Sequence, residues 1–261
     1  AVGRGPGSPF RTLRCGLGSL VDAVVSGLAD AGADLRHSTT VSALRLTAAG
    51  GVRAVLGDGS SEAADAVVLA GGVASSAALL AGPAPRAADA LSRVPLASST
   101  VVTLAYPASA FATPVRTHGW LEADAAPISG VTVSSAKWAG RAPEGTVLVR
   151  AFVPERLGDV ARLDDGSLLD RVTSHVGAVL GARHDPDLTR VTRWPAMMPI
   201  YTVGHLLRVA EVEAGLAHLP GWRVAGSALR GTGVPDCVAD GRRQAELALH
   251  HRAGATVRVG S

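Results

Sequence analysis

The segment 66–70 constrains the fold of this chain more than any other, because it is apolar on both of its faces. Its sequence, within "DAVVLA", shows no alternation of polar and apolar residues, and the tight-turn signal "GDGS" precedes it. A strand with two apolar faces is typical of the interior of a sheet that is covered on both sides. We therefore expect residues 66–70 to lie inside a larger sheet.

Local patterns divide the rest of the chain into helices and strands. Apolar residues from Leu17 to Leu28 fall on one face of a helix that ends near Gly32. The segment "TTVSALRL" alternates, and with the following "GVRAVL" it predicts a small β-meander, with residues 66–70 as its last strand. The other predicted strands are 98–107, 130–135, 146–153, 188–194 and 222–225, and the other predicted helices are 166–181, 205–219 and 235–252.

The longest uncharged stretch, residues 66–85, has about the length of a membrane span. Gly71, Gly72, Ser75 and Ser76 interrupt it and make it a poor transmembrane segment. We expect instead a buried strand that turns into a helix of small residues, and no transmembrane segment.

Composition narrows the classes of function. A chain of 261 residues that is 47% hydrophobic can bury a sizeable core. Its net charge is +3, and its arginines are scattered, which weakly favours an anionic ligand and argues against nucleic-acid binding. Cys15 and Cys237 lie far apart without a CxxC motif, so we predict neither a metal site nor a disulfide, and a reducing, cytoplasmic location.

The segment "GTGVPDCVADGRRQAE" begins at Gly231 and predicts a ligand-facing helix start. Free backbone N–H groups in the first turn of a helix favour negative charge in front of them. The N1–C2=O edge of a reduced flavin carries such a charge. The alternative is an ordinary strand-to-helix turn whose glycines only permit a positive φ.

Several motifs of this chain resemble the C-terminal half of the bacterial FAD-dependent coproporphyrinogen III and protoporphyrinogen IX oxidases. They are "FRTLRCGLGSLVDAVVSGL", "SSAKW", "VTRW", "MPIYTVGHLLRV" and "GTGVPDCVADGRRQAE", in the family's order and spacing from about Phe10 to Leu249. These enzymes belong to the amine-oxidase-like flavoprotein superfamily.

The resemblance implies an α/β chain with an incomplete FAD-binding domain of the glutathione-reductase-like kind. Residues 10–95 and 195–253 would form parts of that domain, and an α+β substrate-binding domain would be inserted at 96–194. Residues 1–9 would be a flexible lead-in and 254–261 a C-terminal tail. The N-terminal GxGxxG βαβ unit is absent from this sequence, because "GRGPG" near its start follows no strand and precedes no helix.

The resemblance also implies cofactor-binding residues. The backbone of Val41 would meet the adenine side of FAD, and Trp194 would lie near the flavin. Thr232, Gly233 and Val234 would line the isoalloxazine ring. An ordinary core aromatic is the alternative for Trp194, since a Trp side chain is readily buried anywhere.

Substrate contacts are expected from "YTVGHLLR" and from arginines. Tyr201, His205 and Arg208 lie close together at a strand-to-helix junction, and His205 is either a base or a structural hydrogen-bonder. Arg150, Arg193 and Arg208 are candidates for binding propionates, with solvated surface positions as the alternative. No catalytic residue is assigned, because the substrate's pyrrole proton can leave to water.

The implied function is the oxidation of coproporphyrinogen III or protoporphyrinogen IX to the porphyrin in haem biosynthesis. Hydride would pass to FAD, and O2 would be the final acceptor, giving peroxide. An intact relative would remove six electrons in three flavin cycles, whereas we expect no activity from this chain alone. The alternatives are a non-catalytic remnant that does not hold FAD, or another amine-oxidase-like flavoprotein. Contact with a membrane surface or with a partner enzyme of haem synthesis is left open.

Overall fold

The computed structural model describes residues 12–123 and 126–255. Its first half contains α1 (Gly18–Asp30), β1 (Val41–Leu46), β2 (Val52–Leu56), β3 (Ser61–Ala64), β4 (Val67–Leu69), α2 (Val73–Leu80), α3 (Pro85–Ser92), β5 (Leu96–Pro107) and β6 (Gly119–Leu121). Its second half contains β7 (Gly130–Val133), α4 (Ser134–Lys137), β8 (Thr146–Pro154), α5 (Asp159–Arg162), α6 (Asp165–Leu180), β9 (Leu188–Pro199), α7 (His205–Leu216), β10 (Trp222–Val224) and α8 (Val234–Ala255). Short 3₁₀ turns occupy Ala108–Ala110 and Glu155–Leu157.

The predicted α/β composition is confirmed, and most predicted elements lie within a few residues of their expected bounds. Sequence patterns missed β3, β6, α3, α4 and α5, which are short. The expected tail at 254–261 is wrong at its start, because α8 continues to Ala255. The expected lead-in at 1–9 and the rest of the tail lie outside the described residues.

The chain forms two compact units. We call them the five-stranded unit, from residues 12–35 and Ala97–Ala196, and the two-sheet unit, from Arg36–Leu96 and 197–255. The second boundary falls near the one expected at 194–195. Helix α1 belongs to the five-stranded unit, whereas the sequence placed it with residues 36–95. The residues just before α1 contact this unit, where the Arg141 guanidinium donates to the Thr12 hydroxyl and, at 3.0 Å, to the Leu13 carbonyl.

The five-stranded unit is built on a sheet in the order β6-β7-β8-β5-β9. Strands β5 and β8 pair antiparallel from Ser99 opposite Pro154 to Pro107 opposite Thr146. Buried and less buried residues alternate along β8, as expected when one face of a strand meets a core. The core side chains come from these strands and from Leu168, Val172 and Val176 of α6.

Helix α6 begins and ends within one residue of the predicted bounds 166–181. The Asp164 carboxylate accepts a hydrogen bond from the Ser167 backbone N–H at 3.0 Å, which satisfies one free donor of the first turn. Gly181 ends the helix in the left-handed conformation, with φ of 69°. Both signals are local, so the helix could be placed from the sequence alone.

The two-sheet unit corrects one prediction about β-structure. Strands β1, β2 and β3 form the antiparallel meander, and β3 is its last strand. Strand β4, which the sequence assigned to the meander, instead pairs in parallel with β10, with Val67 opposite Trp222 and Leu69 opposite Val224. The described part of this second sheet has two strands, so the larger sheet expected around β4 is not formed by these residues.

The core of the two-sheet unit joins α2, α3 and α7 to both sheets. Trp222, Leu91 and Leu80 are fully buried in it, and Val212 is nearly so. The buried face of β4 thus has the helical cover that its apolar sequence requires.

The described residues contain no helix long and apolar enough to cross a membrane. They also contain no group of three or more His, Cys, Asp or Glu side chains placed to hold a metal ion. Cys15 is exposed and Cys237 half-buried, and both thiols are free.

Candidate functional site

The predicted helix start is present at the junction between β10 and α8. Strand β10 ends at Val224, a loop follows, and α8 begins at Val234. Thr232 and Val234 are exposed, whereas Gly231 and Gly233 are half-buried. We refer to residues 225–233 as the β10–α8 loop.

Gly231 is the more constrained of the two glycines in this turn. Its φ is +127°, and an added Cβ would lie 2.5 Å from the Cβ of Asp236. Gly233 has no positive φ, and its Cβ would meet the Oδ2 of Asp236 at 2.9 Å, the mobile end of an exposed side chain. Sequence reasoning singled out Gly233, but only Gly231 requires the freedom of glycine.

The Asp236 carboxylate lies over this same turn. Its Oδ2 comes within 2.8 Å of the Cβ position of Gly231. A negative side chain in a first helical turn is favourable for the helix. It also offsets part of the positive potential that an anionic ligand would meet there, which the sequence argument did not take into account.

Tyr201 and His205 both bind the β10–α8 loop. The Tyr201 hydroxyl donates to the Ser227 carbonyl at 2.6 Å and accepts from the Gly231 N–H at 2.8 Å. The Nε2 atom of His205 lies 2.9 Å from the Leu229 carbonyl. Because a carbonyl only accepts, Nε2 carries the proton in this contact.

A charged network holds the other side of the loop. Arg230 contacts Glu213 of α7 and donates to the Oδ1 of Asp240 at 3.0 Å. The other oxygen of Asp240 accepts from the Gly226 N–H at 3.1 Å, and Gln244 donates to Oδ1 at 3.2 Å. Asp240 is only 5% exposed, so these partners compensate the cost of burying its charge.

Sequence reasoning missed this network, although one signal was available. Asp236, Asp240 and Gln244 recur every four residues, which places them on one side of α8. Arg230 lies outside the helix, and its approach to Asp240 depends on the path of the loop.

The predicted arginines have three different surroundings. Arg193 donates to Asp165 at 2.7 Å and to the carbonyls of Ala161 and Leu163, so its guanidinium has partners within the five-stranded unit. Arg150 is exposed on β8, with its guanidinium 5.7 Å from the ring centre of Phe152.

Arg208 retains an unused donor. Its Nη2 donates to the Thr202 hydroxyl at 2.7 Å. Its Nη1 is buried and has no hydrogen-bond partner among the described residues. A buried donor without a partner costs free energy, so this burial does not stabilise the fold.

The two remaining predicted cofactor residues lie away from this loop in the sequence. Val41 is the first residue of β1, opposite Leu56, at a register irregularity. Trp194 lies on β9 in the five-stranded unit, is 48% exposed, and belongs to neither hydrophobic core of the described residues. It is therefore not the ordinary core aromatic that was the alternative.

A cavity of about 360 Å³ lies between α7, β10 and α8. Leu229 and Arg230 line it, together with the fully buried Trp222, whose indole N–H has no partner in the described part of the chain. Its lining does not include Thr232, Gly233 or Val234, so it is distinct from the predicted ligand-facing turn.

Comparison with known proteins identifies relatives over most of the chain. Residues 4–249 match the family of flavin containing amine oxidoreductases. The coproporphyrinogen III oxidase of Propionibacterium freudenreichii subsp. freudenreichii is 52% identical over 255 residues, which are 97% of this chain and 47% of that protein. The chain thus spans about half the length of this curated relative.

Solved structures agree with this similarity. A protein described as a protoporphyrinogen oxidase from Exiguobacterium sp. 255-15 superposes with a TM-score of 0.79 at 27% identity, covering 94% of this chain and 54% of that one. A reduced UDP-galactopyranose mutase superposes with a TM-score of 0.68 at 14% identity, covering 87% and 48%. The second likeness is one of fold alone.

Proposed function

This chain belongs to the family of flavin containing amine oxidoreductases, and from that premise we propose that it is part of an FAD-dependent porphyrinogen oxidase. The reaction is the oxidation of coproporphyrinogen III, or of protoporphyrinogen IX, to the porphyrin, with O2 as the final electron acceptor and the cytoplasm as its location. The observation that carries this proposal is the 52% identity to a coproporphyrinogen III oxidase over 97% of the chain.

The turn before α8 carries only small side chains, which supports its assignment to the flavin ring. Residues from Gly231 to Val234 carry no side chain larger than valine, and Thr232 and Val234 are exposed. A planar ring can therefore approach the backbone of this turn. The Asp236 carboxylate reduces the electrostatic advantage of the helix start, so close approach is the stronger argument for this site.

A bound flavin supplies the hydride acceptor for oxidation of the bridging methylene of the porphyrinogen. Thr232, Gly233 and Val234 would line its ring, with Val41 toward the adenine side and Trp194 near the flavin. Arg208 would hold a propionate of the substrate, because a guanidinium forms strong hydrogen bonds with carboxylates. Arg150, which is exposed, is a second candidate for the same role.

The experiment is a chimera in which this chain replaces the matching segment of the Propionibacterium freudenreichii coproporphyrinogen III oxidase. We expect the purified chimera to show flavin absorption bands near stoichiometric amounts and to oxidise coproporphyrinogen III faster than air alone. The unmodified relative is the control for expression and assay. A folded chimera without flavin would support the alternative, a remnant that does not hold FAD.

A further inference from the structure

The β10–α8 loop is bound on one side by the rings of Tyr201 and His205. These rings are stacked, with centroids 3.9 Å apart and planes inclined by 13°. Together they make three hydrogen bonds to the loop backbone, at Ser227, Leu229 and Gly231.

The polar atoms that these two side chains direct at the loop are already in use. The single hydroxyl proton of Tyr201 goes to Ser227, and a lone pair accepts from Gly231. His205 is 6% exposed, and its protonated Nε2 is committed to Leu229. Neither side chain can bind a substrate with these groups without releasing the loop.

The loop is bound on its other side by α8 itself. Asp240 holds the Gly226 N–H and Arg230, and the Cys237 thiol lies 3.7 Å from the Gly231 carbonyl. Tyr201 supplies contacts from the segment before α7, and His205 and Glu213 supply contacts from α7 itself. The loop is thus fixed between two helices, just before the first turn of α8.

We propose that Tyr201 and His205 are positioning residues, which hold the β10–α8 loop and thereby set where the exposed turn at Thr232–Val234 stands. They act through the backbone of the loop and do not touch the substrate. The part of this inference that concerns a flavin rests on the proposed function. The inference that Tyr201 and His205 fix the loop rests on their hydrogen bonds alone.

The first test measures amide hydrogen exchange by NMR in the chain itself, with Tyr201→Phe. Phenylalanine keeps the stacked ring and removes the hydroxyl, so the Gly231 N–H loses its acceptor. We expect that amide to exchange about tenfold faster, the effect of losing one hydrogen bond.

Tyr106→Phe is the matched control, since the chain has two tyrosines and the Tyr106 hydroxyl is buried without a partner among the described residues. This change should leave Gly231 exchange as in the wild type. Unchanged exchange at Gly231 in Tyr201→Phe would overturn the proposal. His205→Phe, which loses the bond to Leu229 and keeps an aromatic ring, is a second variant that should also speed exchange in the loop.

The second test uses the flavin spectrum of the chimera. If the loop sets the position of a ring at Thr232–Val234, Tyr201→Phe should shift the visible circular dichroism of the bound flavin, whereas Tyr106→Phe should not. Faster exchange with an unchanged flavin signal would overturn the link between the loop and the flavin. A chimera without flavin would contradict the proposed function, and the exchange experiment would still decide whether the pair holds the loop.

Discussion

At the scale of single residues, the effect of replacing a glycine in or after the turn before α8 depends on the atoms that an added Cβ would contact. Gly231 combines a left-handed φ with contact against Asp236, whereas Gly241, inside α8, has no atom within 4 Å of an added Cβ. Two glycines of one segment therefore respond to the same substitution in opposite ways.

We predict that Gly231→Ala destabilises the protein by about 1–3 kcal/mol, because the new Cβ demands both a strained φ and movement of Asp236. Gly241→Ala should stabilise it by about 0.5–1 kcal/mol, since alanine is the better helix former. Urea unfolding of both variants checks this. Equal effects would mean that the turn adopts another conformation.

A second residue-scale prediction concerns Gly233 in the chimera. Gly233→Leu should abolish flavin binding while the protein stays folded, because its Cβ conflicts only with the exposed carboxylate of Asp236 and the longer side chain displaces the ring. Arg243→Leu, at an exposed position of α8, should keep the flavin. Pro235→Ala should also have little effect, since proline contributes a preset φ and no donor.

Absorption spectra of the purified variants, with circular dichroism to check the fold, make this comparison. An unchanged flavin spectrum in Gly233→Leu would show that the turn does not face the ring.

At the scale of elements, α1 differs from the other long helices of the chain. The pattern that predicts the helix is an apolar stripe, yet none of its residues is buried, and Leu17, Val21, Val24 and Leu28 are 41–61% exposed. Helix α6 has a comparable stripe, and its Leu168, Val172 and Val176 are fully buried. An amphipathic pattern therefore indicates a helix, and its burial depends on what surrounds it.

Substitutions of one leucine in each helix test this difference in burial between α6 and α1. Leu168→Ala should destabilise this chain by about 2–5 kcal/mol, because it opens a cavity in the core of the five-stranded unit. Leu28→Ala should change its stability by no more than about 0.5 kcal/mol, as for other exposed positions. Thermal unfolding compares the two. A large loss in Leu28→Ala would mean that α1 is packed in solution.

A charged contact joins β6 to α6. The Oε1 of Glu122, just after β6, accepts from the His175 ring at 2.8 Å and from the Trp120 indole at 2.6 Å. These two hydrogen bonds, of which the one from His175 has the larger effect, hold the pKa of Glu122 below its ordinary value of 4.5. A carboxylate whose pKa is lower in the folded state than in the unfolded state stabilises the fold at pH values above the unfolded-state pKa. This contribution is lost as the pH falls through the folded-state pKa.

We therefore predict that Glu122→Gln lowers stability at pH 7 and that the gap to the wild type narrows as the pH falls below 4.5. Urea unfolding at several pH values measures it. Asp170→Asn, which changes an exposed carboxylate of α6, is the control. A gap that stays constant with pH would show that the charge of Glu122 does not contribute.

At the scale of the whole molecule, the chain spans about half the length of its relatives, whereas the proposed reaction needs a complete FAD site. The sequence contains no GxGxxG motif between a strand and a helix, and in flavoproteins that helix N-terminus holds the phosphates of the dinucleotide.

We predict that this polypeptide alone has no oxidase activity and carries little flavin when purified. A visible spectrum and a porphyrinogen assay against spontaneous air oxidation test both expectations. Turnover above the air rate would show that the described residues suffice for the reaction.

The sequence by itself determined most of the longer elements and the family. Local propensity and periodicity predict β8, α6 and the start of α8, because these elements depend on residues that are neighbours along the chain. The motifs from Phe10 to Leu249 likewise identified the flavoprotein family, because they are short and recur in a set order.

Only the tertiary structure decided which distant segments meet. The sequence could not predict which strand pairs with β4 or to which unit α1 belongs. It also could not predict that Tyr201 binds Ser227 and Gly231, or that Asp240 is buried. Each of these features depends on packing between residues far apart in the chain. Many long-range pairings are compatible with the same local sequence pattern, and the native one is selected by its combined burial and hydrogen bonding.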